Sequence, residues 1–185
     1  MIGFSLILAC TIEGGIGKDN TIPWQINGDL KLFQDITTKI DNNYNMIKKN
    51  AIIMGRKTWE SLPNKPLKNR INIIISSNPA KIDTNKNVLV YDNLDRALEY
   101  CSNDISINDI FIIGGKSLYD LCLFNLNYSK FLKYIHLSII PKKYICDTYI
   151  DLKNILKSYK NYNIYDITFH KEFIYIKLIN ISLEL

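Results

Sequence analysis

The chain has no stretch of Lys and Arg interleaved with aromatics, no Cys-x-x-Cys pair and no apolar run near the roughly 20 residues that cross a bilayer. Each lack removes a class of function. Without a basic aromatic stripe, the net charge of +5 reads as a solvated surface, and no nucleic-acid partner is expected. Without a long apolar segment, no membrane partner is expected either. Cys10, Cys101, Cys122 and Cys146 are scattered along the chain. The opening M-I-G-F-S-L-I-L-A-C lacks a basic leader and runs straight into a Gly-rich turn. Secretion is therefore not expected; free, buried thiols in a reducing, cytoplasmic compartment are, with no metal site. Internal repeats and linkers rich in Pro, Gly or Ser are missing too. What remains is a chain of 185 residues, 47% of them hydrophobic, which reads as one packed domain over residues 1–185.

Within it, short apolar runs alternate with helical patterns. Strands are expected at 4–11, 51–54, 72–75, 88–91 and 110–113, rich in Ile and Val with apolar residues on both faces, as a buried parallel sheet requires. Helices are expected at 29–40, 94–101 and 117–124. The C-terminal third adds strands at 131–139, 164–170 and 173–181, the last two joined through His170, Lys171 and Glu172 as a hairpin. The fold class is α/β: a mixed, mostly parallel sheet of about eight strands, a C-terminal antiparallel hairpin and about four flanking helices. Residues 41–50 read as a polar surface insertion.

Ligands of open α/β sheets collect beyond the carboxyl ends of the parallel strands. One such end carries Gly55, Arg56, Lys57 and Thr58, another Ser76, Ser77 and Asn78, and a third Gly114, Gly115, Lys116 and Ser117, where a helix opens. A helix start offers unpaired N–H groups and positive potential, and glycines allow close backbone approach to phosphate. Taken singly, a Gly-Gly after a strand is more often a plain turn, and Arg56 with Lys57 more often a solvated pair. Three on one sheet edge point to an extended phosphorylated cofactor. The G-x-G-x-x-G and G-x-x-x-x-G-K-[ST] fingerprints are both missing. Gly14, Gly15, Ile16 and Gly17 read as a flexible loop able to fold over a ligand.

Asp29 shares a helix face with Phe33 and Ile36 by i, i+4, i+7 spacing. It reads either as an acid complementing the helix dipole or, with Asn27 available as the cap, as a carboxylate turned toward apolar surroundings. In the second case an amidine-like pair of N–H groups on a ligand is a suitable partner. Trp24, just ahead, either packs in the core or closes the site and anchors a water.

The runs G-I-G-K-D-N-T-I-P-W, D-L-K-L-F, I-M-G-R-K-T-W-E-S, P-L-K-N-R-I-N-I-I-I-S-S and F-I-I-G-G-K-S-L-Y occur in this order. In order and spacing they resemble dihydrofolate reductases across nearly the whole chain. That resemblance implies reduction of 7,8-dihydrofolate by NADPH, with hydride delivered to C6 and a proton to N5, and antifolate inhibitors as further small-molecule partners. It implies that Asp29 holds the pterin's 2-amino group and neighbouring ring nitrogen, while Trp24 helps place the water that carries the proton. Ser138 stands where the family has a hydroxyl bonded to that acid. Ile7, Ala9, Leu30, Phe33, Leu62, Leu67, Ile113 and Tyr119 would surround the pterin and its tail, and Arg70 would grip a glutamate carboxylate.

For the cofactor, the resemblance implies that Arg56, Lys57, Thr58 and Ser77 read phosphates, including the 2′-phosphate, with Gly55, Ser76 and Asn78 beside them in the cofactor site. Gly114, Gly115, Lys116 and Ser117 would form the pyrophosphate turn, with a cis peptide between the glycines, and Ala9, Ile113, Leu118 and Tyr119 would contact the cofactor as well. Gly15, Ile16, Gly17, Lys18, Asp19 and Thr21 match a loop closing on the nicotinamide. Lys116 departs from the family's small residue. A pyrimidine reductase of riboflavin synthesis would share the Gly-Gly turn but not the pairing of Trp24 with Asp29. A non-catalytic folate carrier would bind the same ligands without turnover. Some protist relatives carry a fused thymidylate synthase; here the chain is expected to end without one and to act as a monomer.

Overall fold

A computed structural model describes residues 2–40, 47–82, 88–157 and 162–181. Ten strands and six helices follow one another among them. Strands β1 (Phe4–Thr11), β3 (Lys49–Gly55), β4 (Arg70–Ile75), β5 (Val88–Tyr91), β6 (Ile107–Ile112), β7 (Leu132–Ile140), β9 (Tyr162–Phe169) and β10 (Ile174–Asn180) form one sheet, in the order β5-β4-β3-β6-β1-β7-β10-β9. Strands β5 through β7 in that order run parallel, and β10 pairs antiparallel with both β7 and β9. The mixed sheet and its closing hairpin thus match the expectation from sequence. His170 donates its backbone N–H to Phe173 at 2.9 Å, closing the hairpin at the expected turn.

The sheet divides the core. From β1, Phe4, Leu6, Leu8 and Cys10 face one side, with Leu94, Ala97, Leu98 and Cys101 of α3 (Leu94–Asn103) and Leu118 and Cys122 of α4 (Lys116–Phe124). Ile7 faces the other side with Ile52, Met54 and Trp59, against which Phe33 and Ile36 of α1 (Asn27–Thr38) pack. Apolar residues on both faces of each central strand are what cover from helices on both sides demands.

Several local expectations are corrected. Six helices appear where about four were expected: α2 (Arg56–Ser61), α5 (Leu126–Ser129) and α6 (Leu152–Lys157) are one- or two-turn pieces too short for a 3.6-residue period to register. Asn27 does not cap α1. The capping position is Ile26, which makes no side-chain bond, and Asn27 is the first helical residue. Gly15 to Gly17 form a short strand, β2, paired with β8 (Thr148–Tyr149), rather than an irregular loop. Cys10, Cys101 and Cys122 are free and buried as expected, whereas Cys146 is partly exposed.

The expected surface insertion at 41–50 is also revised at its far end. Residues 41–46 lie outside the described residues, but Asn50 belongs to β3 and is fully buried. Its amide donates to the carbonyls of Thr37 (3.0 Å) and Lys39 (2.8 Å) at the end of α1, and its oxygen accepts from Asn108 Nδ2 and the Asp109 N–H, both at 3.1 Å. One side chain so ties the helix end to β6. Asn50→Ala removes all four bonds, leaves the buried Thr37 carbonyl without this partner, and is expected to cost about 2 kcal/mol, read as a lower urea midpoint at unchanged m-value.

Candidate active site

Strands β3, β4 and β6 end side by side, and the chain turns out of each into the wall of one cavity of about 790 Å³. That volume suits a small-molecule site. Gly55 to Thr58, Ser76, Ser77, Ile113 and Gly115 to Tyr119 line it. The Gly55 N–H donates to the Gly114 carbonyl at 2.7 Å, joining the ends of β3 and β6. The Gly114–Gly115 peptide is cis, as the resemblance implied, and Gly114 has φ of +104°. A side chain at Gly114 would meet the Tyr119 ring at 3.0 Å, so glycine is required there on two counts. Helix α4 opens from Gly115 without a side-chain cap, and Gly115, Lys116 and Ser117 at its start line the cavity.

The expected cations stand on the rim. Arg56 pairs with Glu60 at 2.8 Å and Lys116 with Asp120 at 2.5 Å, each four residues on and each exposed. Exposed pairs of this kind hold little free energy, so either cation can exchange its carboxylate for a phosphate oxygen at small cost. Lys116, the departure from the family pattern, thus lines the cavity from the first turn of α4.

Asp29 lines the same cavity from α1, together with Leu30, Phe33 and Ile36. Burial lifts its pKa above the ordinary carboxylate value; a hydrogen bond with Ser138 and the nearby His170 oppose the rise. Ile7, Ala9 and Ser138 complete this end, from adjacent strands in the register Ala9 opposite Ser138. Tyr119 is buried with its hydroxyl donating to the Ile7 carbonyl at 2.9 Å, so it locks α4 to β1 and keeps no free donor.

Other expected residues lie behind or beside the cavity. Trp24 is buried in a cluster with Ile26, Ile140, Phe173 and Tyr175, stacked obliquely on Tyr144, and does not line the cavity. Arg70 sits over the Phe33 ring at 5.7 Å and donates to Thr37 Oγ1 at 2.7 Å and the Lys68 carbonyl at 3.0 Å. Neither Arg70, Leu67 nor Asn78 lines the cavity, although Leu62 does. Of the expected closing loop, Ile16, Gly17 and Thr21 line the cavity, whereas Gly15, Lys18 and Asp19 do not. Lys18 and Thr21 exchange backbone hydrogen bonds around Asp19 and Asn20, both at positive φ, and Asp147 accepts from the Asp19 N–H at 2.7 Å.

Sequence reasoning missed His136, Tyr175, Thr148 and Asp120, all of which line the cavity. His136 was within reach, because residues two apart on a strand share a face and Ser138 had been singled out. Tyr175 was not, since only the β7–β10 register brings it there.

Fold and cavity together define an α/β protein with one cavity that joins an apolar wall to the ends of three parallel strands. The dihydrofolate reductase family profile matches residues 3–170. A dihydrofolate reductase of Heliothis virescens is 33% identical over 152 residues, covering 80% of this chain and 78% of that protein. Bifunctional dihydrofolate reductase-thymidylate synthases of Arabidopsis thaliana and Zea mays are 38% and 37% identical over 153 and 156 residues. Each match covers 80% of this chain but only 26% and 28% of those proteins, so the chain spans about a quarter of their length. The chain belongs to the dihydrofolate reductase family.

Proposed function

We propose that this chain, acting as one monomeric domain in the cytoplasm, reduces 7,8-dihydrofolate to 5,6,7,8-tetrahydrofolate with NADPH. One observation carries the reading: a single cavity joins a half-buried carboxylate, Asp29, to a sheet edge suited to phosphates. The uncapped start of α4, the glycine pair and the rim cations fit a dinucleotide's phosphates. NADPH would supply the hydride to C6 when bound.

The chain's own residues supply the rest. Asp29, set in place by Ser138, accepts two N–H groups from the pterin's amidine edge, a charge-assisted contact that fixes the ring. Ile7, Phe33 and Ile113 offer apolar contacts around the ring and keep bulk water out. Its raised pKa lets Asp29 share in supplying the proton that reaches N5 through water, and Trp24 stiffens the wall behind that path. Arg70, over the Phe33 ring, offers a guanidinium that suits the substrate's tail carboxylate.

The direct test follows NADPH absorbance in the presence of dihydrofolate. Oxidation that depends on the substrate and is abolished by a 2,4-diaminopyrimidine is expected; no oxidation at any substrate concentration would refute the reading. Arg56→Ala combined with Lys57→Ala is expected to narrow the preference for NADPH over NADH about tenfold, the worth of one charge-assisted phosphate contact. Paired kcat/KM values for the two cofactors measure this, and an unchanged ratio would move the 2′-phosphate elsewhere.

A further inference from the structure

The cavity wall contains a polar pair to which the proposed reduction assigns no task. His136 on β7 and Tyr175 on β10 both line the cavity and both are buried. Tyr175 lies opposite Ser138, and His136 opposite Lys177, so their contact runs diagonally across the ladder. His136 Nδ1 and Tyr175 Oη are 2.7 Å apart. The phenol has no other partner among the described residues, and of the two tautomers that the contact allows, the one in which the phenol donates to Nδ1 gives its one proton an acceptor. The imidazole proton then sits on Nε2.

Nε2 has no protein partner among the described residues, yet no side-chain nitrogen there is both buried and unpaired. Nε2 therefore keeps contact with solvent, and the cavity is the space that His136 lines. The Phe111, Tyr134 and Tyr175 rings pack around the imidazole at centroid distances of 5.9, 6.2 and 6.1 Å. Burial, aided by Lys177, pushes its pKa down to about 4, so the ring is neutral and offers one donor rather than a charge.

Two residues further along the same face, Ser138 lines the same cavity beside Asp29 and holds its pKa down. That spacing is about 6.7 Å along a strand, an interval that one water bridges between the two positions. An amidine edge gives Asp29 a ring N–H and one hydrogen of the exocyclic amino group. The second amino hydrogen is left in an enclosed wall, where an unmet donor is costly. Water has two lone pairs and can accept from this hydrogen and from Nε2–H together.

We propose that His136, oriented by Tyr175, is a specificity-determining residue that recognises the exocyclic amino group of a ring seated on Asp29, through one bridging water. The assignment rests on Asp29 as the seat of the ring.

The test is a ligand-by-residue comparison. Wild type, His136→Phe and Tyr175→Phe are titrated by intrinsic fluorescence with 2,4-diamino-5-benzylpyrimidine and with its 4-amino-2-methyl analogue, which lacks the 2-amino group. His136→Phe is expected to weaken the diamino ligand about tenfold and the 2-methyl analogue less than twofold. Tyr175→Phe keeps the imidazole but frees it to turn, and is expected to cost about threefold with the same selectivity. Equal losses on both ligands, or no loss on either, would overturn the role. NADPH affinity reports folding; should His136→Phe fail to fold, Tyr175→Phe decides by the same criterion. A wild-type chain that does not distinguish the two ligands overturns the seat on Asp29 and this inference with it. Wild-type turnover of dihydrofolate with unaltered selectivity in the variants refutes the His136 role alone.

Discussion

Asp29→Asn is expected to leave NADPH binding intact and to lower turnover of dihydrofolate by about a hundredfold or more, the usual scale for a positioned acid–base group. An amide is isosteric with the carboxylate but lacks its charge and offers one acceptor where the amidine edge presents two donors. The same substitution should stabilise the ligand-free protein at neutral pH. Burial raises the Asp29 pKa, so the folded chain holds a proton that the unfolded chain has already released. Stability therefore falls as pH rises from the ordinary carboxylate value through the raised one, and stays reduced above it. Asparagine has no charge to desolvate. Melting curves of the two proteins should thus separate at pH 7, with the variant higher, and converge near pH 3. Near-normal turnover in the variant would remove the proposed role, and a variant that melts lower at pH 7 would contradict the burial argument. Function and stability compete at this residue.

The second large effect runs the other way with pH. His136 is neutral in the folded chain down to about pH 4, against a value of 6.5 when unfolded. Between these values the unfolded state takes up the proton first, so stability present at neutral pH is lost as pH falls. Two and a half pKa units at 1.36 kcal/mol each set the loss at about 3 kcal/mol. His136→Phe carries no such proton and should lose correspondingly less stability between pH 6.5 and 4. Urea midpoints of both proteins at half-unit steps of pH across that window measure the difference. If the two profiles fall in parallel, the imidazole is already protonated in the folded state.

Both effects arise from titratable side chains held among apolar strands, and they differ in how visible they were beforehand. Asp29 announced itself through its spacing from Phe33 and Ile36, all three of which line the cavity. Helical spacing is a property of neighbouring residues, so the grouping needed no distant contact. His136 carries no such local mark. Its environment is made by Phe111, Tyr134, Tyr175 and Lys177, three of them on other strands. Asn50 is similar: next to a polar run it reads as surface, and only its bonds to Thr37, Lys39, Asn108 and Asp109 explain its burial.

From sequence alone the mixed sheet, its C-terminal hairpin and the three strand ends that meet at one cavity could be drawn, because apolar runs, glycine pairs and cations are written in consecutive residues. Tertiary structure alone decided the pairing of Gly15 and Gly17 with Thr148 and Tyr149, the withdrawal of Trp24 and Arg70 from the cavity wall, and the meeting of His136 with Tyr175. Each depends on which strands become neighbours and in what register. That outcome is set by burying two apolar sheet faces at once, and no short window of residues contains it.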